Sequence, residues 1–584
     1  MRRAHRAALA ALVALVTAGL LAGCVTMPDE GPVVETQSDG GTSVQQGSNI
    51  NPRPPREGDT RADVARGFLV AMTATPIQTN TARKFLTQDA GAGWSPDATI
   101  TYAGNPRVAE TAAGVSVTLA DPDRLDPQGA WQGPLPKSQR TISLPMAFED
   151  GEWRIDAAPD ALIVPQTWFA QRFRQVSLYF FDPTVNSLVP EPVYVPGGKQ
   201  LASTLTQALL LGPSEGLERV VKSFVPRELT LAPSVSISKE GIADIALKGD
   251  AGQLSAESIE LMMAQLAWTL RQDPRIEALR VSINNDPVAL PGGVNAYRVD
   301  GGAEFDPAGF QSSPLLYGLR DGLLSSGAGA KLEPVSGPMG TTELGLRSVA
   351  TSLTADEAAG VTGDGRSLVI GPVSGTDDDA ARTVLTGARD LLRPAWDFAD
   401  RLWVVDRTAE GAVVSAITDD KRRELYVPGI TGTRVRTFVI SRDGTRLVAV
   451  VRRAAGDQLV VSRNAHDRNG RVLWATPARS ISDAPDSDLP VRAIAWQSTT
   501  SLVVLSPFGA SDTLSQLRTS SVDGSPVADG SLPPAEGRLR ALVGSPDSSE
   551  PLYGVSGRTL VDLSSRDRPV QRLADDTTEV SYVG

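Results

Sequence analysis

From about residue 312 onward the chain repeats one local theme: a short apolar strand, a polar turn, and a second apolar strand. It is clearest in Phe438-Val439-Ile440-Ser441-Arg442-Asp443-Gly444-Thr445-Arg446-Leu447-Val448-Ala449, and it recurs at 363–370, 395–405, 494–505 and, more weakly, 542–548. With Asp364, Asp400, Asp443, Thr499 and Ser548 as turn markers, the intervals are 36, 43, 56 and 49 residues. A repeat of about 40 to 50 residues is the length of a four-stranded blade, so the spacing predicts an all-β propeller over 312–584 with loops of variable length. Leu316-Tyr317-Gly318-Leu319 echoes Leu552-Tyr553-Gly554-Val555, which predicts that the start and end of this region meet to close the ring. The Asp-Gly pairs read as hairpin turns rather than calcium loops, because Asp-Gly is the turn chemistry that hairpins require.

A chain of 584 residues is too long for one core, and the segments before the propeller have a different texture. Residues 24–58 carry Gly, Ser, Gln and Pro without an apolar period, ending in Asn51-Pro52-Arg53-Pro54-Pro55-Arg56, and read as an extended flexible tether. Over 59–174 a helical apolar face at 63–72 and a second helix from Thr79 to Leu86 precede strands near 99–102, 114–119, 140–148 and 152–155. Helices followed by a curved sheet predict an α+β domain of the NTF2-like cone type. Trp94, Trp131 and Trp153 are read as core residues there, with a ligand cavity as the other use of such aromatics. Over 175–300 the pattern predicts a second α+β domain, with a helix stopped by Gly212-Pro213 and a long helix over 255–271. Met262, Met263, Leu266, Trp268 and Leu270 on that helix are read as core with an exposed rim.

The N-terminus addresses the chain. Arg2, Arg3 and Arg6 precede a 15-residue apolar stretch, 7–21, shorter than the roughly 20 residues a membrane-spanning helix needs. It ends in Leu21-Ala22-Gly23-Cys24, where small residues precede the only cysteine. That pattern predicts signal peptidase cleavage between Gly23 and Cys24, and S-diacylglycerol and N-acyl chains on Cys24. Several chains together hold a protein durably on a membrane, whereas single ones bind marginally. Losing the three arginines with the leader takes the formal charge from −12 to −15, and no strongly basic patch stands out, so no nucleic-acid partner is expected.

Few residues remain for catalysis. Only two histidines occur, and His5 leaves with the leader. His466, in Asn464-Ala465-His466-Asp467-Arg468-Asn469-Gly470, reads as a solvated turn residue. A His/Cys zinc site cannot be assembled from this inventory, and no Walker loop or HExxH string is present. The expectation is therefore a non-enzyme with no catalytic residues, no cofactor and no metal. Carboxylate-based hydrolysis is the one catalytic chemistry the composition permits.

The order of modules is informative. Arg66-Gly67-Phe68-Leu69-Val70-Ala71-Met72, Ala82-Arg83-Lys84-Phe85-Leu86-Thr87, Glu152-Trp153-Arg154-Ile155 and Leu178-Tyr179-Phe180-Phe181-Asp182-Pro183 resemble the first part of the LpqB family of actinobacterial lipoproteins. Leu210-Leu211-Gly212-Pro213, the Gly241-Ile242-Ala243 turn and the helix around 265–270 are similar to the GerMN domain of sporulation and germination proteins. The resemblance implies a lipid-anchored protein of the cell membrane's extracytoplasmic face. It further implies an accessory role beside the MtrA/MtrB two-component system, with the extracytoplasmic domain of an MtrB-like sensor histidine kinase as partner and envelope growth and division as the output. The second reading is an envelope protein that binds a cell-wall glycan or peptide.

Overall fold

The computed structural model describes residues 51–376, 379–481, 490–509, 513–527 and 530–584. In the first region, helix α1 (Arg61–Ala71) starts at a reciprocal cap in which the Thr60 hydroxyl accepts from Asp63 N–H and Asp63 accepts from the Thr60 backbone. Val64, Ala65, Phe68, Leu69 and Ala71 form its buried face. The expected second helix is only the short α2 (Asn80–Arg83), followed by α3 (Gln88–Gly93), which the sequence pattern did not reveal. These helices pack on a sheet of β1 (Ala98–Thr111), β2 (Gly114–Leu125), β3 (Trp131–Pro134), β4 (Thr141–Glu149), β5 (Glu152–Ile155) and β6 (Ala161–Pro165), with the order β5-β4-β2-β1-β6 and β3 on β2. Asp150 and Gly151 both take positive φ in the β4–β5 turn, as a two-residue hairpin loop demands. Trp94 and Trp131 are core residues, while Trp153 is half-buried beneath the Arg61 guanidinium.

Helix α4 (Gln166–Arg172) leads into the long hairpin β7 (Phe173–Phe181) and β8 (Leu188–Pro196). Then come α5 (Leu201–Leu210), the short strands β9 (Thr230–Leu231) and β10 (Ser236–Ile237), β11 (Ile242–Lys248), α6 (Ala256–Leu270) and β12 (Ala278–Ile283). β11 and β12 pair in parallel across α6, a strand–helix–strand crossover. The expected exposed rim on α6 is absent: Met262, Met263, Leu266, Trp268 and Leu270 are all buried. The helix carries apolar residues all round because Tyr179 and Phe181 of the hairpin cover one side while Leu279 and Val281 of β12 share the core on the other.

The described residues from 316 onward form six blades, five sheets of four strands and one of five. The ring closes where Leu316–Arg320 pairs with Thr577–Ser581, so the last strand of the chain is the innermost strand of the first blade. Blade 2 runs from Leu346–Thr351 to Arg382–Leu385, blade 3 from Ala395–Trp396 to Lys421–Leu425, and blade 4 from Arg434–Ile440 through Arg446–Arg453 and Gly456–His466 to Val472–Ala475 and Arg479–Ser480. Blades 5 and 6 begin at Ala493–Ser498 and Ala541–Val543. Asp400, Asp443, Thr499 and Ser548 all lie between a blade's first and second strands, but Asp364 lies between the second and third. The equivalent turn of blade 2 is at 352–356, where Ala355 takes φ 63° without an Asp-Gly pair. Both ends of a blade use the same turn chemistry, so the residue pair alone does not say which hairpin it closes.

Aromatic groups at the ends of inner strands staple neighbouring blades. Trp396 Nε1 donates to Ala350 O at 3.2 Å, Trp496 Nε1 to Ile440 O at 2.9 Å, and Tyr582 Oη to Pro551 O at 3.0 Å. Each buries a ring between two sheets and satisfies its polar atom there.

Candidate functional site

The densest set of buried charges lies where the β7–β8 hairpin meets blades 4 and 5. Asp182, at the end of β7, organises the hairpin turn: its carboxylate accepts from Thr184 N–H (2.7 Å), Thr184 Oγ1 (2.5 Å), Asn186 N–H (2.9 Å) and Ser187 N–H (2.8 Å). These bonds hold Val185 at φ 67°, a region β-branched residues rarely enter. His466 Nε2 lies 3.3 Å from Asp182 Oδ2, and both side chains are fully buried. The expectation of a solvated turn residue at His466 is therefore overturned. Its turn looks polar in sequence, but the hairpin from 284 residues earlier covers it.

Burial alone would raise the Asp182 carboxyl. Hydrogen bonds from His466, Thr184 and Ser187 outweigh it and hold the group below its ordinary value. With Asp182 ionised, His466 Nε2 is the donor. An Asp–His pair is two of the three members of a nucleophilic triad, yet His466 Nδ1 has no hydrogen-bond partner and no solvent reaches either side chain. A Gly-x-Ser-x-Gly string does occur at Gly212-Pro213-Ser214-Glu215-Gly216. It follows the end of α5 instead of joining a strand to a helix, so it lacks the geometry of a nucleophile elbow.

Beside this pair, Glu191 of β8 takes two guanidiniums. Arg446 reaches it at 3.2 Å and also donates to Pro190 O, while Arg463 donates to the same Glu191 oxygen. Desolvation, reinforced by the neighbouring Arg463 charge, pulls the Arg446 guanidinium down to about 10. One step further into the propeller, Asp397 Oδ2 accepts from Arg401 Nε and Trp403 Nε1, each at 2.7 Å, and Arg401 reaches across to Gly470 O. Gly444 sits over this cluster at φ 71°; a Cβ there would lie 2.2 Å from an Arg401 nitrogen. Removing one partner of such a buried pair typically costs about 3 to 5 kcal/mol, because the other charge is left without compensation.

The same hairpin touches the first domain. Tyr194 N–H donates to Gly129 O at 2.8 Å, and the Tyr194 ring packs on Trp131 and Phe169. Tyr194 Oη donates to Pro526 O at 2.9 Å, and Gln175 Nε2 to Ser521 Oγ and Ser525 Oγ, so the hairpin contacts blade 5 as well. One apolar cluster runs from Ala130 through both hairpin strands to Ala465 of blade 4. The described residues from 51 onward accordingly form one compact unit. At the mouth of the central channel, a cavity of about 110 Å³, Arg442 donates to Ser312, Ser545 and the carbonyls of Ala308 and Val583. Burial pulls its guanidinium down to about 10.

Gly23 and Cys24 lie outside the described residues. Among the described residues no helix is long and apolar enough to cross a membrane, and no cluster of three or more His, Cys, Asp or Glu side chains could hold a metal ion. The seam residues Asp182, Glu191, Arg446 and Arg463 carry no sequence signal as a group, since they come from strands more than 250 residues apart.

Three family models match this order of modules: the N-terminal domain of lipoprotein LpqB over residues 54–170, sporulation and spore germination over 177–289, and the lipoprotein LpqB β-propeller domain over 322–578. The chain belongs to the LpqB lipoprotein family. Lipoprotein LpqB of Thermobifida fusca is 28% identical over 563 residues, covering 86% of this chain and 88% of that protein. Lipoprotein LpqB of Streptomyces coelicolor is 28% identical over 585 residues, covering 94% and 93%. The tandem GerMN domains of GerM from Bacillus subtilis align at 22% identity over 22% of this chain and 46% of that one, with a TM-score of 0.19, too low to add to the family match. The architecture of this chain is therefore an N-terminal LpqB domain, a GerMN-type domain and a C-terminal propeller.

Proposed function

We propose that this LpqB-family chain is a non-catalytic lipoprotein, anchored through acyl chains on Cys24 to the extracytoplasmic face of the cell membrane, and that it acts as an accessory regulator of an MtrB-like sensor histidine kinase. The observation that carries the reading is the hairpin seam. It locks three modules into one body, so that a contact made by any module is borne by all of them. An accessory protein shifts a kinase only by binding its signalling states with different affinity, and a rigid body transmits such a preference better than jointed domains. Helices laid on a bent sheet support an NTF2-like reading of the first domain, which adds a second scaffold surface. The absence of a reachable nucleophile beside Asp182 and His466 supports a binding role over hydrolysis.

The test is crosslinking of the full chain in native membranes, with Cys24→Ala as control, together with kinase output in a strain lacking the protein. Recovery of a sensor kinase by the wild-type chain alone, and altered output in the deletion strain, are the expected results. Unchanged output would overturn the proposal. Recovery of wall fragments alone would favour the envelope-binding reading, which the burial of Trp94 and Trp131 leaves without those two rings for a sugar to stack on.

A further inference from the structure

On the side of the propeller away from the hairpin, blades 3 and 4 leave a groove of about 340 Å³. Four of its lining residues are arginines: Arg407 from blade 3, and Arg434, Arg436 and Arg452 from blade 4. The concentration stands out in a chain of net charge −12. The strands bring it about, since Arg434 and Arg452 are register partners and Arg407 reaches the same cleft from the neighbouring sheet.

The carboxylates nearby are shared and too few. Asp457 Oδ1 takes both Arg436 (3.0 Å) and Arg452 (3.1 Å), and Asp390 takes both Arg407 (2.5 Å) and Arg347 (2.7 Å). Pairing does not bury the cations: Arg407, Arg436 and Arg452 stay 42 to 45% exposed. Arg434 is exposed and extends the row. Even with Glu410 on the adjoining turn counted, cations exceed anions. The Asp457 side chain is fully buried and also accepts from Val491 N–H, so it fixes Arg436 and Arg452 in place. Gly411 closes one end of the groove at φ 111°, where a Cβ would sit 2.2 Å from the Gly432 carbonyl carbon.

We infer that this groove is a binding site for a phosphoryl oxyanion. Guanidiniums fixed by a shared carboxylate lose little freedom on binding, and their planar forks match phosphate oxygens two at a time. A volume of 340 Å³ holds such a group with several first-shell waters of about 30 Å³ each. The ligand chemistry is the same whether the phosphoryl group is free or belongs to an anionic lipid headgroup, and the inference stands independently of the kinase proposal.

The experiment is isothermal titration calorimetry on the full chain in nonionic detergent, with inorganic phosphate and dihexanoyl phosphatidylglycerol as separate probes. Binding of at least one probe is expected, weakened about tenfold or more in Arg434→Gln and unchanged in Arg298→Gln, which removes an exposed arginine of the middle domain. Arg434→Lys, which keeps the charge and loses the fork, is expected to fall between and guards against a folding artefact in the Gln variant. Preference for phosphatidylglycerol over phosphate assigns the site to a headgroup, and equal binding assigns it to free phosphate; both support the inference. Failure of both probes to bind, or wild-type affinity in both Arg434 variants, would overturn it.

Discussion

Blade 4 carries arginines at both ends of one strand, and the structure treats them in opposite ways. Arg446, where Arg446–Arg453 begins, is buried against Glu191 and Pro190 of another domain. Arg452, six residues and about 20 Å further on, stays exposed in an open groove with half a claim on Asp457. The first is sealed between two domains, with Nη2 bonded across the seam while Nε and Nη1 are buried without a hydrogen-bond partner, and is out of a ligand's reach. The second is positioned by a carboxylate and still has donors facing water. Burial, not residue type, separates an arginine that builds the molecule from one that can bind.

Removing the shared carboxylate of the docked end gives the largest expected effect. Glu191→Ala leaves Arg446 and Arg463 facing each other with only Asp443, 3.6 Å from Arg446, to offset them, and should cost about 3 kcal/mol in chemical denaturation. A loss under about 1 kcal/mol would mean that the docked arginines are not held as described.

Acid should act at the docked end next. The Asp182 carboxyl is depressed in the folded chain below its ordinary value of 3.8. Its contribution is therefore complete above that ordinary value and fades as pH falls through the depressed one. Wild-type stability measured downward from pH 5 should show this acid limb, and Asp182→Asn should flatten it while lowering stability at neutral pH.

A blade staple tests the ring itself. Trp496→Phe keeps an aromatic ring but loses the pyrrole part of the indole and with it the bond to Ile440 O, leaving a buried carbonyl short of one donor, and should cost about 2 kcal/mol by thermal unfolding. The smallest effect belongs to the open end. Arg434→Gln should change stability by no more than about 0.5 kcal/mol while weakening oxyanion binding. A large stability loss there would erase the contrast between the two ends.

Much of the fold was legible because local patterns carry it. Strand–turn–strand spacing gave the propeller, and Gly212-Pro213 marked the end of α5. Legibility failed where a segment's surroundings lie far away in sequence. α6 read as amphipathic with a rim because nothing local says that a hairpin covers its second face. His466 read as solvated because the residues after it are polar and exposed, while its own partner, Asp182, lies 284 residues away in sequence.

By itself the sequence determined the order of modules, the repeat length that makes blades, and the Leu21-Ala22-Gly23-Cys24 pattern, since each depends on residues within one or two turns of one another. Only the tertiary structure decided which charges are buried and which are open. That choice depends on the solvent left around a side chain after distant strands have packed, and desolvation sets whether a guanidinium becomes part of the frame or part of a site.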